Sequence, residues 1–171
     1  MDIQQIPVQY PLTRQDSSVA DDYFGTQIKD VYRWLEDDQS AETKDWVRRQ
    51  NIVTNQYFDQ IPYRDTIRKR IEQIFNYEKY GPPFKKAGKY YFFKNDGLQN
   101  QHVLYVQEDL NAPAQVALDP NTFSADGTAS LGELAFSKDG RYLAYSISNG
   151  GSDWRTIYIK DMESGQVLDD R

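Results

Sequence analysis

The sequence predicts an N-terminal α-helical segment followed by β-propeller blades. Three observations support this fold class. An apolar period of three to four residues ends near Asn76, a period of two begins after Pro83, and a unit of about fifty residues occurs twice in the second half. We therefore expect two domains: residues 1–76 form an arm with two helices, and residues 77–171 form two blades, the second cut short.

The first thirty residues are polar with scattered tyrosine and proline, and they predict an extended arm laid over another part of the protein. Asp30 is expected to cap a short turn. Asp37, Asp38 and Ser40 are N-cap candidates for a long helix, because their oxygens can accept hydrogen bonds from free backbone N–H groups. One face of that helix carries Trp46, Val47, Gln50, Val53 and Tyr57.

A second helix is predicted to start near Tyr63, since Pro62 ends the first one. Gly81, Pro82 and Pro83 form a cluster of residues that break regular structure. The domain boundary is therefore placed between Asn76 and Pro83. The apolar stripe of the second helix consists of Ile67, Ile71, Ile74 and Phe75, and its basic side carries Arg64, Arg68, Lys69 and Arg70.

The repeat joins FKKAGKYYFF at 84–93 to FSKDGRYLAY at 136–145, with a spacing of 52. VLYV at 103–106 matches TIYI at 156–159 with a spacing of 53, and AQVALDP from Ala114 matches GQVLDD from Gly165 with a spacing of 51. Each unit predicts four strands, which is typical of a propeller blade. Gly88 and Gly140 are expected at turn positions that need positive φ.

A propeller needs about four to eight blades to close its ring. Two blades would leave a sheet face and strand edges open. The sequence therefore predicts that the chain is a piece of a longer protein.

Composition excludes several functional classes. The chain has 171 residues, a net charge of -6 and no cysteine, so disulfide frameworks, thiolate metal sites and cysteine nucleophiles are excluded. An acidic surface repels phosphate, so we expect neither nucleic acid nor membrane as a partner. Neither a signal peptide nor an apolar stretch of about eighteen residues is apparent, which predicts a soluble, cytoplasmic protein.

The order of motifs resembles the N-terminal part of the prolyl oligopeptidase (prolyl endopeptidase) family, from about Tyr10 to Arg171. The matching strings are YxWLED, a Gln-Asn pair in the long helix, and GLQNQxVLYVQ in the first blade. Their residues are Tyr32, Trp34, Leu35, Glu36, Asp37, Gln50, Asn51, Gly97, Leu98, Gln99, Asn100, Gln101, Val103, Leu104, Tyr105, Val106 and Gln107. Further matches are Leu118, Asp119, Pro120, Asn121, Asp126, Gly127, Thr128, Phe136, Ser137, Asp139, Gly140, Gly151, Ser152, Asp153 and Trp154.

This resemblance implies a parent fold of an α/β-hydrolase domain with a seven-bladed propeller inserted into it. Such a parent cleaves short proline-containing peptides after proline with a serine, an aspartate and a histidine, and it needs no cofactor. The partners of this chain would then be the missing C-terminal blades and the α/β-hydrolase domain. The Asn76–Pro83 segment becomes a candidate hinge, and Trp34 and Trp46 become candidate anchors onto the peptidase domain.

No catalytic, cofactor-binding or metal-binding residue is expected in this chain. Its sequence has no G-x-S-x-G, and the nearest string, GGSDW at 150–154, predicts a polar turn. His102 is expected to be solvated at the start of a strand. The acidic run at 36–38 predicts helix capping, and Asp119, Asp126 and Asp139 predict turns. The aromatic run at 90–93 predicts core packing.

Two alternatives remain open at this point. The chain could be a non-catalytic interaction module that pairs through its open blade edge. It could also be one half of a split enzyme, with a second polypeptide supplying the remaining blades and the hydrolase domain.

Overall fold

The structure is a computed structural model that describes residues 6–169. The chain forms two compact units, one up to Lys69 and one from Arg70 onward, and the division falls inside the second helix. The predicted boundary between residues 76 and 77 stays a prediction. In the described part of the chain, no helix is both long enough and apolar enough to cross a membrane.

The arm, predicted to be extended, contains a β-hairpin. Strand β1 (Ala20–Tyr23) pairs antiparallel with β2 (Thr26–Lys29), with Tyr23 opposite Thr26. A two-residue turn at Phe24 and Gly25 joins them, with φ of 55° and 87°. Such turns prefer Asn-Gly. Because this turn has Phe24 where asparagine is usual, its sequence does not predict a hairpin.

The helices lie where the sequence predicts them. A 3₁₀ turn (Arg33–Glu36) precedes α1 (Ala41–Asp59), whose N-cap is Ser40 with its Oγ 3.1 Å from the N–H of Thr43. Asp30 accepts the N–H of Tyr32, as expected of a turn cap. Helix α2 (Arg64–Phe75) follows. The four residues of its apolar stripe are each about half exposed (Ile67, Ile71, Ile74 and Phe75).

The first sheet is the predicted first blade. Its strands are β3 (Lys79–Tyr80), β4 (Phe84–Lys86), β5 (Lys89–Asn95), β6 (Val103–Gln107) and β7 (Gln115–Leu118). The order is β3-β5-β6-β7, with β4 also paired to β5, and the pairs are antiparallel. The predicted four-strand unit is β4 to β7, and β3 is an addition that the breaker residues concealed.

The second sheet follows a 3₁₀ turn at Pro120–Thr122. Strands β8 (Ala129–Phe136), β9 (Tyr142–Asn149) and β10 (Arg155–Asp161) are antiparallel neighbours in that order. A fourth segment begins at residues 166–168, where Val167 bridges Lys160 and the N–H of Leu168 donates to the carbonyl of Ile159. This arrangement confirms the predicted blade pattern.

The core of this unit lies between the two sheets. Leu104 and Leu143 are fully buried, one from each sheet, and Tyr91 and Tyr145 are nearly so. The ring of Phe136 lies 4.5 Å from that of Tyr91. We call this contact region the seam. It holds the two sheets together through apolar burial, which stabilises by about 25 cal/mol per Å².

Candidate functional site: the seam between the two sheets

An aromatic pair recurs in both sheets and defines the structural repeat. Phe92 stacks on Tyr105 with ring centroids 5.6 Å apart, and Tyr145 stacks on Tyr158 at 5.7 Å. Both members are offset by 53 residues. In the second sheet the pair lies in the seam, whereas in the first sheet it lies on the opposite face, half-buried. The two sheets are therefore successive copies that present the same face in the same direction.

The 52-residue spacing aligns residues that lie on opposite faces of their sheets. Phe84 and Phe136 both enter the seam, with rings 6.2 Å apart, although they come from facing sheets. The cause is the first hairpin. Phe84 pairs with Tyr91 seven positions later, but the equivalent residue Ala135 pairs with Ala144 nine positions later. The second turn is longer by two residues. Equivalent residues are therefore 51 apart on the strand before the turn and 53 apart on the strand after it, and an alignment on the turn glycines gives the intermediate value of 52.

The turn glycines themselves behave as predicted. Gly88 has φ of 87° and Gly140 has φ of 74°, a region where a side chain is strained. The alternation of residues 90–93 is also confirmed, because Tyr91 and Phe93 enter the seam while Tyr90 and Phe92 face away. Tyr91 and Phe93 contact the core between the sheets, and Phe92 stacks on Tyr105 on the opposite face.

Gln101 ties the first sheet to the second. It lies in the β5–β6 loop, and its side-chain Nε2 donates to the carbonyl of Ala129 at 2.8 Å. Its Oε1 accepts the N–H of Leu131 at 2.9 Å. The backbone of Gln101 is in turn held by Asn121, which accepts its N–H at 2.9 Å and donates to its carbonyl at 3.0 Å. The side-chain amide of Gln101 thus makes the hydrogen bonds that a neighbouring strand would otherwise make at the free edge of β8.

Lys160 makes a second polar contact across the seam. Its Nζ reaches from β10 to the carbonyl of Ala117 on β7, 2.7 Å away. Burial lowers the pKa of Lys160, because the charged ammonium loses water there. Neither Gln101 nor Lys160 could be found from apolar periodicity, since both are polar residues placed by tertiary structure.

The outward face of the second sheet is open. Ala144, Ile159 and Ile157 lie on it, and Ile157 is 58% exposed. Among residues 6–169, the Oγ of Ser146 is a buried side-chain oxygen without a hydrogen-bond partner, and it lies on the same face. A buried hydroxyl costs free energy when it is unpaired. The apolar character of this face comes from Ile157 and its neighbours Ala144 and Ile159.

The residues considered as catalytic candidates lie in turns or just before a strand. Ser152 lies in the turn between β9 and β10, where its Oγ accepts the N–H of Trp154 and its own N–H donates to Asn149. His102 is exposed just before β6. Asp126 and Asp139 accept backbone N–H groups two residues ahead, as turn residues do.

Two of the three tryptophans, Trp34 and Trp46, contact the arm of their own chain. The indole N–H of Trp34 donates to the carbonyl of Arg14 at 3.1 Å, and that of Trp46 donates to the Oγ1 of Thr13 at 2.9 Å. Their docking onto a peptidase domain stays a prediction. Asp37 accepts the N–H groups of Gln39 and Ser40 in the turn before α1. The N-cap is Ser40, so Asp37 and Asp38, the other two candidates, do not cap the helix.

No group of three or more His, Asp or Glu side chains is placed to hold a metal ion within residues 6–169. The seam between the sheets is lined by apolar and aromatic side chains, and its polar contacts run from side chain to backbone. Its chemistry is that of a scaffold. The expectation that this chain has no catalytic, cofactor-binding or metal-binding residue stays a prediction.

Asp161 provides a pH-dependent test of the second sheet. Its carboxylate accepts the N–H groups of Ser164 and Glu163, which lower its pKa below the ordinary 3.8, with a smaller effect from Arg141. A depressed pKa stabilises the fold above pH 3.8 and loses that effect as pH falls through the folded value. The Asp161→Asn variant should therefore unfold more easily than wild type at pH 7. Chemical unfolding from pH 7 down to 2.5 should show this difference shrinking below pH 3.8, and a pH-independent difference would contradict the assignment.

Comparison with known proteins places these features in a family context. A family model described as "Prolyl oligopeptidase, N-terminal beta-propeller domain" matches residues 11–171. A prolyl endopeptidase of Elizabethkingia meningoseptica is 52% identical over 163 residues, covering 95% of this chain and 23% of its own length. A prolyl endopeptidase of Dictyostelium discoideum is 35% identical, covering 88% of this chain and 22% of its own length.

Solved structures similar to this chain come from the same family. One from a study of two prolyl endopeptidases, concerned with inter-domain dynamics in catalysis and specificity, has a TM-score of 0.77 at 30% identity and covers 94% of this chain and 24% of that one. Prolyl oligopeptidase B from Galerina marginata, bound to a 35mer hydrolysis and macrocyclization substrate, has a TM-score of 0.70 at 32% identity, with coverage of 94% and 24%.

The chain spans about 23% of the length of the curated relatives that it matches first. The matching region is the N-terminal part, which carries no G-x-S-x-G string here. The alternative of a free-standing interaction module is not favoured, because the relatives are peptidases in which this region is one part of a longer chain.

Proposed function

Because this chain belongs to the prolyl oligopeptidase family and carries part of its N-terminal β-propeller domain, we propose that it is the non-catalytic N-terminal part of a serine endopeptidase that cleaves short peptides after proline. The observation that carries this proposal is the seam. Two successive sheets with one aromatic pair repeated at 53 residues match a propeller that continues beyond them. The named relatives supply the class of reaction.

In this proposal the chain contributes scaffold and gate. Residues 1–76 form the arm and helices that pack on the peptidase domain, and residues 77–171 form the first two blades. The half-exposed apolar stripe of α2 and the open face of the second sheet are the surfaces that the rest of the parent covers. Blades over an active site limit entry by size, so only short proline-containing peptides reach the nucleophile.

The partners are the remaining blades and the α/β-hydrolase domain, and no cofactor takes part. We place the protein in the cytoplasm, which agrees with a chain of 171 residues without cysteine. Nucleic acid is a poor partner for a chain with net charge -6.

A hydrolysis assay tests the proposal. The purified 171-residue chain should not release a chromogenic group attached after proline, because it lacks a nucleophile on a strand-to-helix turn. The parent protein should release it and should lose this activity to a serine-directed inhibitor. A matched peptide with alanine in place of proline is the control and should react far more slowly.

Two outcomes would contradict the proposal. Serine-dependent turnover by the chain alone would place the chemistry in these residues. A parent that cleaves the alanine peptide as fast as the proline peptide would remove the post-proline specificity.

A further inference from the structure

The segment between α2 and the first sheet looks like a linker in sequence, since it leads into Gly81, Pro82 and Pro83. In the structure it is held by Lys79. The Nζ of Lys79 donates to the carbonyl of Phe75 at 2.6 Å, to that of Gly97 at 2.6 Å and to that of Tyr77 at 3.4 Å. The same ammonium lies 4.7 Å from the centre of the Tyr77 ring.

These contacts occupy all three N–H donors of the Lys79 ammonium. Lysine has three N–H donors, and three backbone carbonyls surround it here. The carbonyl of Phe75 belongs to the last turn of α2, where carbonyls lack helical partners and a cation is favoured by the helix dipole. The carbonyl of Gly97 belongs to the β5–β6 loop. Lys79 therefore joins the end of a helix to a loop of the first sheet.

The backbone of the segment is also paired. Lys79 lies opposite Asn95 and Tyr80 opposite Lys94 on β5. The N–H of Gly81 donates to the carbonyl of Phe93 at 2.8 Å. The segment is thus an edge strand of the first sheet for its last three residues.

Side chains at the start of the segment add to this attachment. Glu78 forms an ion pair with Lys94 at 2.8 Å, which lowers the pKa of Glu78. Gly97 has φ of 141°, and a Cβ atom there would collide with the side chain of Asn76. Asn76 therefore packs directly against the β5–β6 loop.

We infer that Asn76–Gly81 is clamped to the first sheet by Lys79 and moves with it as one body, so that this segment is not a hinge. Any pivot of the chain then lies N-terminal to Arg70, where the second compact unit begins. The inference rests on the proposed function, because the position of a pivot matters only if the blades act as a gate. It replaces the candidate hinge at Asn76–Pro83.

Pulsed-EPR distances test the inference on the full 171-residue chain. The chain has no cysteine, so Arg70→Cys and Lys85→Cys give two labelled sites without further changes, one on α2 and one on β4. We expect a single narrow distance distribution. The added change Lys79→Met should broaden it, because the methionine thioether cannot donate to the three carbonyls. Lys138→Met, in an exposed turn of the second sheet, is the matched control and should leave it narrow.

A broad distribution in the chain without the Lys79→Met change would show that the segment bends, and would overturn the inference. An unchanged distribution in Lys79→Met would show that Lys79 is not the clamp. Amide exchange of Gly81 gives a second readout that needs no labels: it should match that of β5 in wild type and become roughly tenfold faster in Lys79→Met. An unprotected Gly81 amide in wild type would contradict the clamp.

Neither readout depends on peptide hydrolysis. Failure of the proposed function would appear as a parent without post-proline activity, while the EPR distance stayed narrow. Failure of the clamp would appear as a broad distance in a chain whose parent is active.

Discussion

Replacing Leu143 with alanine should lower the free energy of unfolding by about 2–5 kcal/mol. Leu143 has no exposed surface and lies in the seam between the two sheets. Its removal takes away apolar burial and leaves a cavity that closely packed neighbours cannot fill. Urea unfolding followed by tryptophan fluorescence, or by circular dichroism of the strands, measures the change.

The control is the same substitution at Leu110, which is 61% exposed in a turn of the first sheet. Leu110→Ala should change the free energy by less than about 0.5 kcal/mol. Equal effects at the two positions would mean that the two sheets do not share one core.

Replacing Gln101 with leucine should cost about 2–3 kcal/mol, although leucine is the more apolar residue. The change leaves the carbonyl of Ala129 and the N–H of Leu131 without their partners. Ala129 is 2% exposed, so water cannot easily replace the lost contact. Amide exchange adds a local measurement: the N–H of Leu131 should exchange much faster in the variant.

Gln115→Leu is the matched control, since Gln115 is exposed on β7. It should have almost no effect on stability. A neutral outcome at Gln101 would contradict the view that its amide serves as a strand partner between the sheets.

Much of the fold follows from apolar period and turn chemistry. The spacing of three and four residues predicts α1 and α2, and Ser40 marks the start of α1 because its hydroxyl can cap. The fifty-residue repeat predicts two sheets, and the strands appear at those places. The helices could be predicted because their signals lie in neighbouring residues, and the sheets could be predicted because the same unit occurs twice in the sequence.

The faces of the strands could not be predicted in the same way. A side chain changes face with each residue, so an alignment that is wrong by one residue reverses inside and outside. The spacing of 52 is such an alignment at Phe84 and Phe136, since it averages 51 on one strand and 53 on the next. The sequence already gives a spacing of 53 for VLYV and TIYI, and the stacked pairs Phe92–Tyr105 and Tyr145–Tyr158 show that the same spacing holds on the neighbouring strand.

The side chain-to-backbone contacts of Gln101 and Lys79 could not be predicted from the sequence either. Gln101 stands in a string that marks the family, yet nothing in its neighbours says that its amide reaches β8. Lys79 stands beside breaker residues that suggest a flexible linker, whereas its ammonium joins the carbonyls of Phe75 and Tyr77 to that of Gly97 in the β5–β6 loop. Such roles come from tertiary structure, because the acceptors are backbone atoms whose positions no side-chain pattern encodes.

The most direct measurement is to sequence the source gene past the codon for Arg171. Our account predicts an open reading frame that continues through further blade repeats, with an aromatic pair near the 53-residue spacing, into a segment with G-x-S-x-G. The residues described here would then be scaffold and gate of a post-proline peptidase. A stop codon directly after Arg171 would contradict that account.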